Sequence, residues 1–477
     1  MRWESLSAYP ALMLIEYATG EALKRLLPFE ECIEESFRDF DTGMEIPVPD
    51  GLSYMPFQKA GIEYAAQFPR ALIADQPGLG KTIQAIGVAN LLGLKRILIV
   101  CPASVRINWV RELEKWHLLN PGVSVLFSGK SSFTKKGSVV VSYDLAVKRI
   151  SEFGRFDLIV ADEAHYLKNW SAKRTKVLLA GGKGPLITAA PRTVFLTGTP
   201  VPNTPAEFYT ILKSAAPGVI DQMSYSRFVD YFLKQSMDKY GRITFTTNKR
   251  PEEFSKRLRS GFMARRLKKD VLPQLPDKQY KLVVFEAVGK RIKEVLKREA
   301  DFSVSELIAK GAPVGSALPE IRQEMGLAKL PLVIDYLKEM LDGGVDKVAV
   351  FGHHVDVVEG LYLGMAEYGS VMITGKTSMG KRQKAIDLFM NDSSVRVFAG
   401  NLIAGGVGIT LTSACEVAIA EPSWVPGENE QAVDRLHRIG QERKVTVHTL
   451  VVEGSLDAKI LGAAAGKRFN INEVIGG

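Results

Sequence analysis

Short apolar runs, each followed by an amphipathic stretch, recur along this chain in two blocks. The first block holds Ala71–Ala74, Arg96–Val100, Ser138–Ser142, Leu158–Ala161 and Thr193–Leu196, with helical patterns at Thr82–Leu92 and Asn108–Trp116. The second holds Lys347–Phe351, Ser370–Ile373, Val395–Ala399, Glu416–Ala420 and Lys444–Thr449. Runs this short suit strands buried on both faces, and helices between them are the connections that parallel strands require. The expected class is therefore α/β, with two parallel-sheet domains at 51–275 and 325–452. A length of 477 residues allows two cores and appendages.

Residues 1–50, with an acidic patch at Glu30–Glu35, read as an N-terminal appendage. Between 217 and 275 the rhythm breaks: Tyr225, Phe228, Tyr231, Phe232 and Tyr240 interleave with a basic series from Arg242 to Lys269 that ends in RRLKKD. A helical insertion is predicted there. Residues 276–324 read as a linker with a helical protrusion at Lys290–Lys310, and 453–477 as a helix packing back on a neighbouring domain. The net charge of +9 permits an electrostatic partnership with nucleic acid without requiring one. Cys32, Cys101 and Cys415 are far apart and show no CxxC spacing, so neither a zinc site nor a disulfide framework is expected, and a reducing, intracellular setting is the default. No apolar stretch approaches the length of a membrane span, and no leader pattern opens the chain.

Chemistry concentrates at the strand ends. DQPGLGKT, Asp75–Thr82, lies between a strand-like run and a helix. Gly78, Leu79 and Gly80 supply a tight loop whose N–H groups face phosphate at the helix start, Lys81 reaches the β and γ phosphates, and Thr82 ligates magnesium. FDLIVADEAH runs an apolar strand into Asp162 and Glu163, a metal-holding acid and a general base; the bland alternative is two acids capping a helix. His165 is a candidate relay. Thr197 and Thr199 of FLTGTP end another strand and would couple the phosphate site to a domain contact. Gln58 in YMPFQ is a candidate adenine reader.

In the second block QAVDRLHRIGQ, Gln431–Gln441, reads as part of an amphipathic helix over Asn429–Ile439. Gln431, Arg435 and Arg438 fall at i, i+4 and i+7 on one stripe, with Ala432, Leu436 and Ile439 as the anchoring face and Gly440 as the stop. Two guanidinium groups on one stripe suit charge developing on phosphoryl oxygens; a solvated or nucleic-acid-facing basic helix is the alternative. Gly408 and Thr410 in AGGVGITLTSA, and Lys376, Lys381 and Arg382 after the Ser370–Ile373 run, are candidate phosphate contacts, though a solvated surface suits the lysines nearly as well. Trp109 and Trp424 stack or pack; the sequence does not separate the two.

DQPGLGKT, DEAH, LTGTP, GGVGITLT and QAVDRLHRIGQ, in this order over roughly residues 52–460, resemble the Swi/Snf-type branch of the superfamily-two helicases. EPSWVPGENEQA is most similar to the compact annealing-helicase subgroup. The resemblance implies two RecA-like domains, ATP and Mg²⁺ in the cleft between them, and tracking along double-stranded DNA without ordinary strand separation. It implies phosphate-loop roles for Lys81 and Thr82, metal and base roles for Asp162 and Glu163, finger roles for Arg435 and Arg438, and adenine recognition by Gln58. VCPASVRINW, with Pro102 and Ser104, matches the family's first DNA-contacting segment. One departure is plain: the family's DExGLGKT has Gln76 and Pro77 here. With no chromatin-reading module, zinc finger or nuclease motif evident, the expectation is a minimal bacterial or viral translocase, monomeric and cytoplasmic, nuclear if eukaryotic. It would act on duplex and also on single-stranded or forked DNA. Open alternatives are a strand-separating DNA or RNA helicase and a nucleotide-dependent binding module without turnover.

Overall fold

The computed structural model describes residues 30–198, 205–237, 243–302, 317–402, 409–423, 426–459 and 461. These fall into two compact units that divide between Leu272 and Pro273. Each is built on one all-parallel sheet, so the chain consists of two α/β domains.

In the first unit the strands are β1 (Arg70–Ile73), β2 (Ile97–Cys101), β3 (Val123–Val125), β4 (Ser138–Ser142), β5 (Leu158–Asp162) and β6 (Arg192–Leu196). Helices α1 (Pro56–Gln67), α2 (Lys81–Leu91) and α3 (Arg106–Trp116) cover them. Every residue of β2 and β4 is buried, as the apolar run of β2 and the Val139–Val141 centre of β4 require. The order is β3-β4-β2-β5-β6-β1-β9, β9 being Met263–Ala264. That order places the C-terminal ends of β5, β6 and β1 side by side, with Asp162 opposite Leu196 and Leu196 opposite Ile73. Three motifs far apart in sequence thereby share one edge of the sheet, the edge where parallel α/β sheets bind ligands.

The insertion predicted to be helical is only partly so. After a helix at Tyr225–Phe232, strands β7 (Leu233–Met237) and β8 (Ile243–Asn248) form an antiparallel hairpin. After a further helix at Pro251–Arg259, β9 (Met263–Ala264) pairs with β1 and completes the first sheet. The basic character of this stretch hid it. Arg257, Arg259, Arg265, Arg266 and Lys268 are all buried, and the four arginines bond to carbonyls or acids rather than being displayed to solvent. The described part of the N-terminal appendage also packs on this unit. Residues 30–37 form a helix, Arg259 stacks 3.6 Å over Phe37, and Arg266 Nε donates to the Arg38 carbonyl at 2.6 Å. Residues 1–29 lie outside the described residues.

The second sheet runs β10-β15-β14-β11-β13-β12, from β10 (Gln279–Phe285), β11 (Val348–Gly352), β12 (Ser370–Ile373), β13 (Val397–Asn401), β14 (Glu416–Ile419) and β15 (Thr446–Val452). β10 corrects the reading of 276–324 as linker. It pairs with β15 along its whole length; residues 279–282 and Val284 are exposed while Val283 and Phe285 are half-buried, so an edge strand's alternation shows only at its C-terminal end. Lys290–Glu299 and the long Leu318–Asp342 are helical. Most of the expected C-terminal packing helix, residues 462–477, lies outside the described residues.

Glu299 ends the first of these helices, 1% exposed, and accepts the Leu456 backbone N–H at 2.7 Å. Burial, aided by the Asp457 charge and opposed by that bond, pushes its carboxyl up to about 7. A folded-state value above the unfolded one favours the protonated form. The associated stability is therefore complete below pH ~4.5 and is lost as pH rises through about 7. Glu299→Gln is expected to flatten this slope and to stabilise the chain at pH 8 by up to about 3 kcal/mol. Urea unfolding at pH 5.5 and pH 8 measures it; an unchanged slope contradicts the assignment.

Candidate functional site

β1 delivers the chain into the phosphate loop. Gly78 and Gly80 both have positive φ, 91° and 76°, and a Cβ on Gly80 would lie 2.5 Å from the Gln58 amide nitrogen. Glycine is thus favoured at residue 80 by backbone conformation, and any side chain there would displace the Gln58 amide. Leu79 is fully buried beneath the loop. Gly80 caps α2, so the free N–H groups of that helix open toward the loop. Gln58 is buried, donates to the Leu79 carbonyl at 3.3 Å and accepts the Met55 N–H at 3.0 Å. Its amide thus braces the loop from below.

Lys81 Nζ turns back onto the carbonyls of Asp75 and Gln76, at 2.7 and 3.3 Å. Burial lowers its pKa against the opposing pull of Glu163, Asp75 and Asp162. Thr82, on the first turn of α2, is half-buried. The first two residues of DQPGLGKT fix the loop's base. Asp75, fully buried, accepts from Gln84 Nε2 at 2.8 Å and from the Arg266 backbone N–H at 2.9 Å, and pairs with the Arg266 guanidinium at 3.3 Å. Gln76 Oε1 accepts the Lys268 N–H at 2.7 Å. A neutral amide here keeps an acceptor where the family pattern has a carboxylate. The loop is therefore held by RRLKKD, nearly two hundred residues away in sequence, and nothing in the local sequence signals that partnership.

β5 ends in Asp162, whose carboxylate accepts the Trp109 indole N–H at 2.8 Å and the Glu163 N–H at 2.9 Å. Burial and the neighbouring Glu163 charge raise its pKa to about 6. Glu163 has left-handed backbone at φ 50°, a conformation that costs a non-glycine residue energy and that concentrates at functional sites. Its Oε2 lies 3.2 Å from His165 Nδ1, and the same nitrogen is 3.3 Å from Thr197 Oγ1. The structure thus joins Glu163, His165 and the buried Thr197 in one chain of contacts across β5 and β6. Gly198 comes close behind: a Cβ there would meet the Pro77 ring at 2.6 Å and Lys81 Nζ at 3.4 Å. Thr199 lies outside the described residues.

In the second unit the arginine helix needs correction. The helix spans Pro426–Val433, and residues 434–440 are turns. Gln431, half-buried, is on the helix; Arg435 and Arg438 are beyond it, so the three do not share a helical stripe. Ala432 and Leu436 are fully buried as anchors, whereas Ile439 is exposed. The helix stops early because the turn carries its own tethers. The Leu411 N–H donates to the Arg435 carbonyl at 2.9 Å, Arg438 Nη1 donates to the Ile409 carbonyl at 3.2 Å, and the Gln441 amide donates to the Ala414 carbonyl at 2.8 Å. From the other side Lys278 pairs with Glu430 and Asp434 at 2.8 and 3.1 Å, and His437 Nε2 contacts the Pro276 carbonyl at 2.8 Å. Burial lowers the Lys278 pKa, but those two acids outweigh it and hold the ammonium well above its ordinary value. Arg435 is buried and Arg438 half-buried.

Among the nucleic-acid candidates, Pro102 is buried, Ser104 and Thr410 are half-buried, and Lys376 and Lys381 are exposed. Arg382 is corrected: it is buried and directed at the Thr374 carbonyl at 3.4 Å, inside the turn rather than on the surface. Gly408 and Trp424 lie outside the described residues. No helix among the described residues is long and apolar enough to cross a membrane, and none of their side chains cluster as a ready-made His, Cys or carboxylate metal site.

The SNF2-related domain family matches residues 57–297, and the helicase conserved C-terminal domain matches 329–440. The chain is 33% identical over 447 residues to the Xenopus tropicalis SWI/SNF-related matrix-associated actin-dependent regulator of chromatin subfamily A-like protein 1, covering 89% of this chain and 46% of that protein. It is 31% identical over 473 residues to the human DNA annealing helicase and endonuclease ZRANB3, covering 92% of this chain and 42% of that protein. The chain therefore spans less than half the length of these relatives. A solved Sulfolobus solfataricus SWI2/SNF2 ATPase core in complex with dsDNA is 25% identical, with a TM-score of 0.42 over 91% of this chain and 96% of that one. The annealing-helicase likeness read from the sequence agrees with these relatives. The bacterial or viral, cytoplasmic placement does not: both of these curated relatives are eukaryotic, one from a frog and one human, and that placement is withdrawn.

Proposed function

This chain belongs to the SNF2-related family, and from that premise we propose that it is an ATP-hydrolysing motor that translocates on double-stranded DNA, remodelling or reannealing DNA or displacing bound protein. The observation that carries the proposal is the convergence on one sheet edge of the Gly78–Thr82 loop, the Asp162–Glu163 pair and the His165–Thr197 contact. A glycine loop at a helix start, one lysine, one hydroxyl and two acids form a donor set suited to a magnesium–triphosphate. When bound, magnesium supplies charge neutralisation at the phosphate oxygens.

Lys81, half-buried near Asp162 and Glu163, exchanges its carbonyl partners for phosphate oxygens. Thr82 and Asp162 hold the metal. Glu163 orients water and takes its proton, and His165 ties the position of Glu163 to Thr197. Arg435 and Arg438 of the second unit stabilise charge developing on the transferred phosphoryl group. Gln58 serves the adenine end by shaping the loop it braces. Lys376, Lys381, Thr410 and the segment beginning at Pro102 and Ser104 face the DNA backbone, and the chain acts as a monomer.

The test compares steady-state ATP turnover alone and with matched duplex DNA, single-stranded DNA or RNA. Duplex is expected to stimulate most, with affinity falling steeply along a salt series as phosphate contacts are screened. Turnover that single strands or RNA raise and duplex does not would replace this reading with a strand-separating helicase. Strand displacement measured beside triplex displacement separates the two motions.

A further inference from the structure

We propose that Trp109 is the positioning residue that makes the geometry of Asp162 depend on whether the Pro102–Trp109 segment is engaged by duplex DNA, an inference that rests on the translocase reading above. The segment is closed at both ends on the same acid. At its start, β2 pairs with β5, Val100 lying opposite Ala161, so Pro102 leaves the sheet beside the strand end that carries Asp162. At its finish, the Trp109 indole, 1% exposed, donates to Asp162 Oδ2 at 2.8 Å.

Between these anchors the chain makes a short turn at Ala103–Val105 and enters α3, with Ala103 and Asn108 exposed. The turn is stiff. Arg106, buried, donates to the Ala103 carbonyl at 3.0 Å and to the Leu126 carbonyl, and its guanidinium stacks 5.1 Å from the Phe127 ring. A ligand pressing on the exposed residues therefore moves the first turn of α3 as a body, and the indole N–H moves with it. The Glu163 N–H also donates to the Asp162 carboxylate, but it belongs to the acid pair itself. Among the described residues, Trp109 is thus a side chain through which a change outside the sheet reaches the carboxylate.

Trp109→Phe keeps an aromatic ring and deletes the donor. In the whole chain, duplex affinity at fixed salt and binding of a fluorescent ATP analogue are expected to stay within about threefold, while the ratio of duplex-stimulated to basal turnover falls at least fivefold. A purely structural role would lower both rates together and leave the ratio unchanged; that result overturns the proposal. A second measurement does not depend on the variant's activity. The Trp109 indole ¹H–¹⁵N resonance of the wild-type chain is expected to shift when duplex is added without nucleotide, and a resonance that stays in place also overturns the proposal. If wild-type turnover is indifferent to duplex, the translocase reading itself falls. That is distinct from a stimulated wild type beside an equally stimulated variant, which removes only the role of Trp109.

Discussion

Lys81→Met is expected to abolish useful ATP turnover, by roughly 10³-fold or more, while leaving the stability of the ligand-free chain close to wild type. The first half rests on the proposed role: a preorganised cation aimed at developing phosphoryl charge in a site shielded from water is among the largest single contributions to catalysis. The second rests on burial. The ammonium sits beneath the loop with its charge disfavoured by desolvation, and its observed bonds go to the carbonyls of Asp75 and Gln76. Removing a partly buried charge relieves that penalty, and leaving two carbonyls without this donor costs something comparable, so the two effects oppose one another. Melting of the ligand-free chain should change by less than about 1 kcal/mol equivalent. Steady-state turnover and thermal unfolding on the same preparation test both halves. Turnover near wild type would remove Lys81 from the mechanism; a large loss of stability would show that its cationic bonds hold the loop.

The parts of this site that the sequence disclosed are those in which one short segment contains the whole device. Gly78, Gly80, Lys81 and Thr82 lie on one loop and one helix turn, and the acid pair ends a strand whose apolar run announces it. Parallel strands with short apolar sequences gave away the fold class, because burial on both faces leaves no alternation to misread. The features that stayed hidden depend on contacts between distant segments. Arg266 and Lys268 read only as the end of a basic series in an insertion, yet they reach Asp75 and Gln76 through the pairing of β9 with β1. β10 was hidden by its exposed Tyr280 and Lys281, which dilute the apolar signal of an edge strand. Trp109 was visible as a residue, but its partner is set by the closeness of α3 to the end of β5, which no local pattern encodes.

In the arginine segment, periodicity is right about the burial of Ala432 and Leu436, wrong about Ile439, which is exposed, and wrong about conformation. Helical spacing correctly assigned Ala432 and Leu436 to the core, yet the chain leaves the helix after Val433 and delivers Arg435 and Arg438 on turns. The two arginines therefore differ. Arg435 is buried and its carbonyl is tied to the Leu411 N–H; Arg438 is half-buried and its side chain reaches the Ile409 carbonyl at 3.2 Å. Arg435→Ala empties a buried position and is expected to lower the melting temperature as well as turnover. Arg438→Ala should leave the melting temperature and ATP-analogue binding close to wild type and reduce turnover by about 10³-fold, the scale of an arginine finger. The split is the informative result. Normal hydrolysis by Arg438→Ala would deny it a catalytic role. Equal loss of stability in both variants would mean that the turn between Val433 and Gly440 is a structural clamp, held by Lys278 and Gln441 for the sake of the fold.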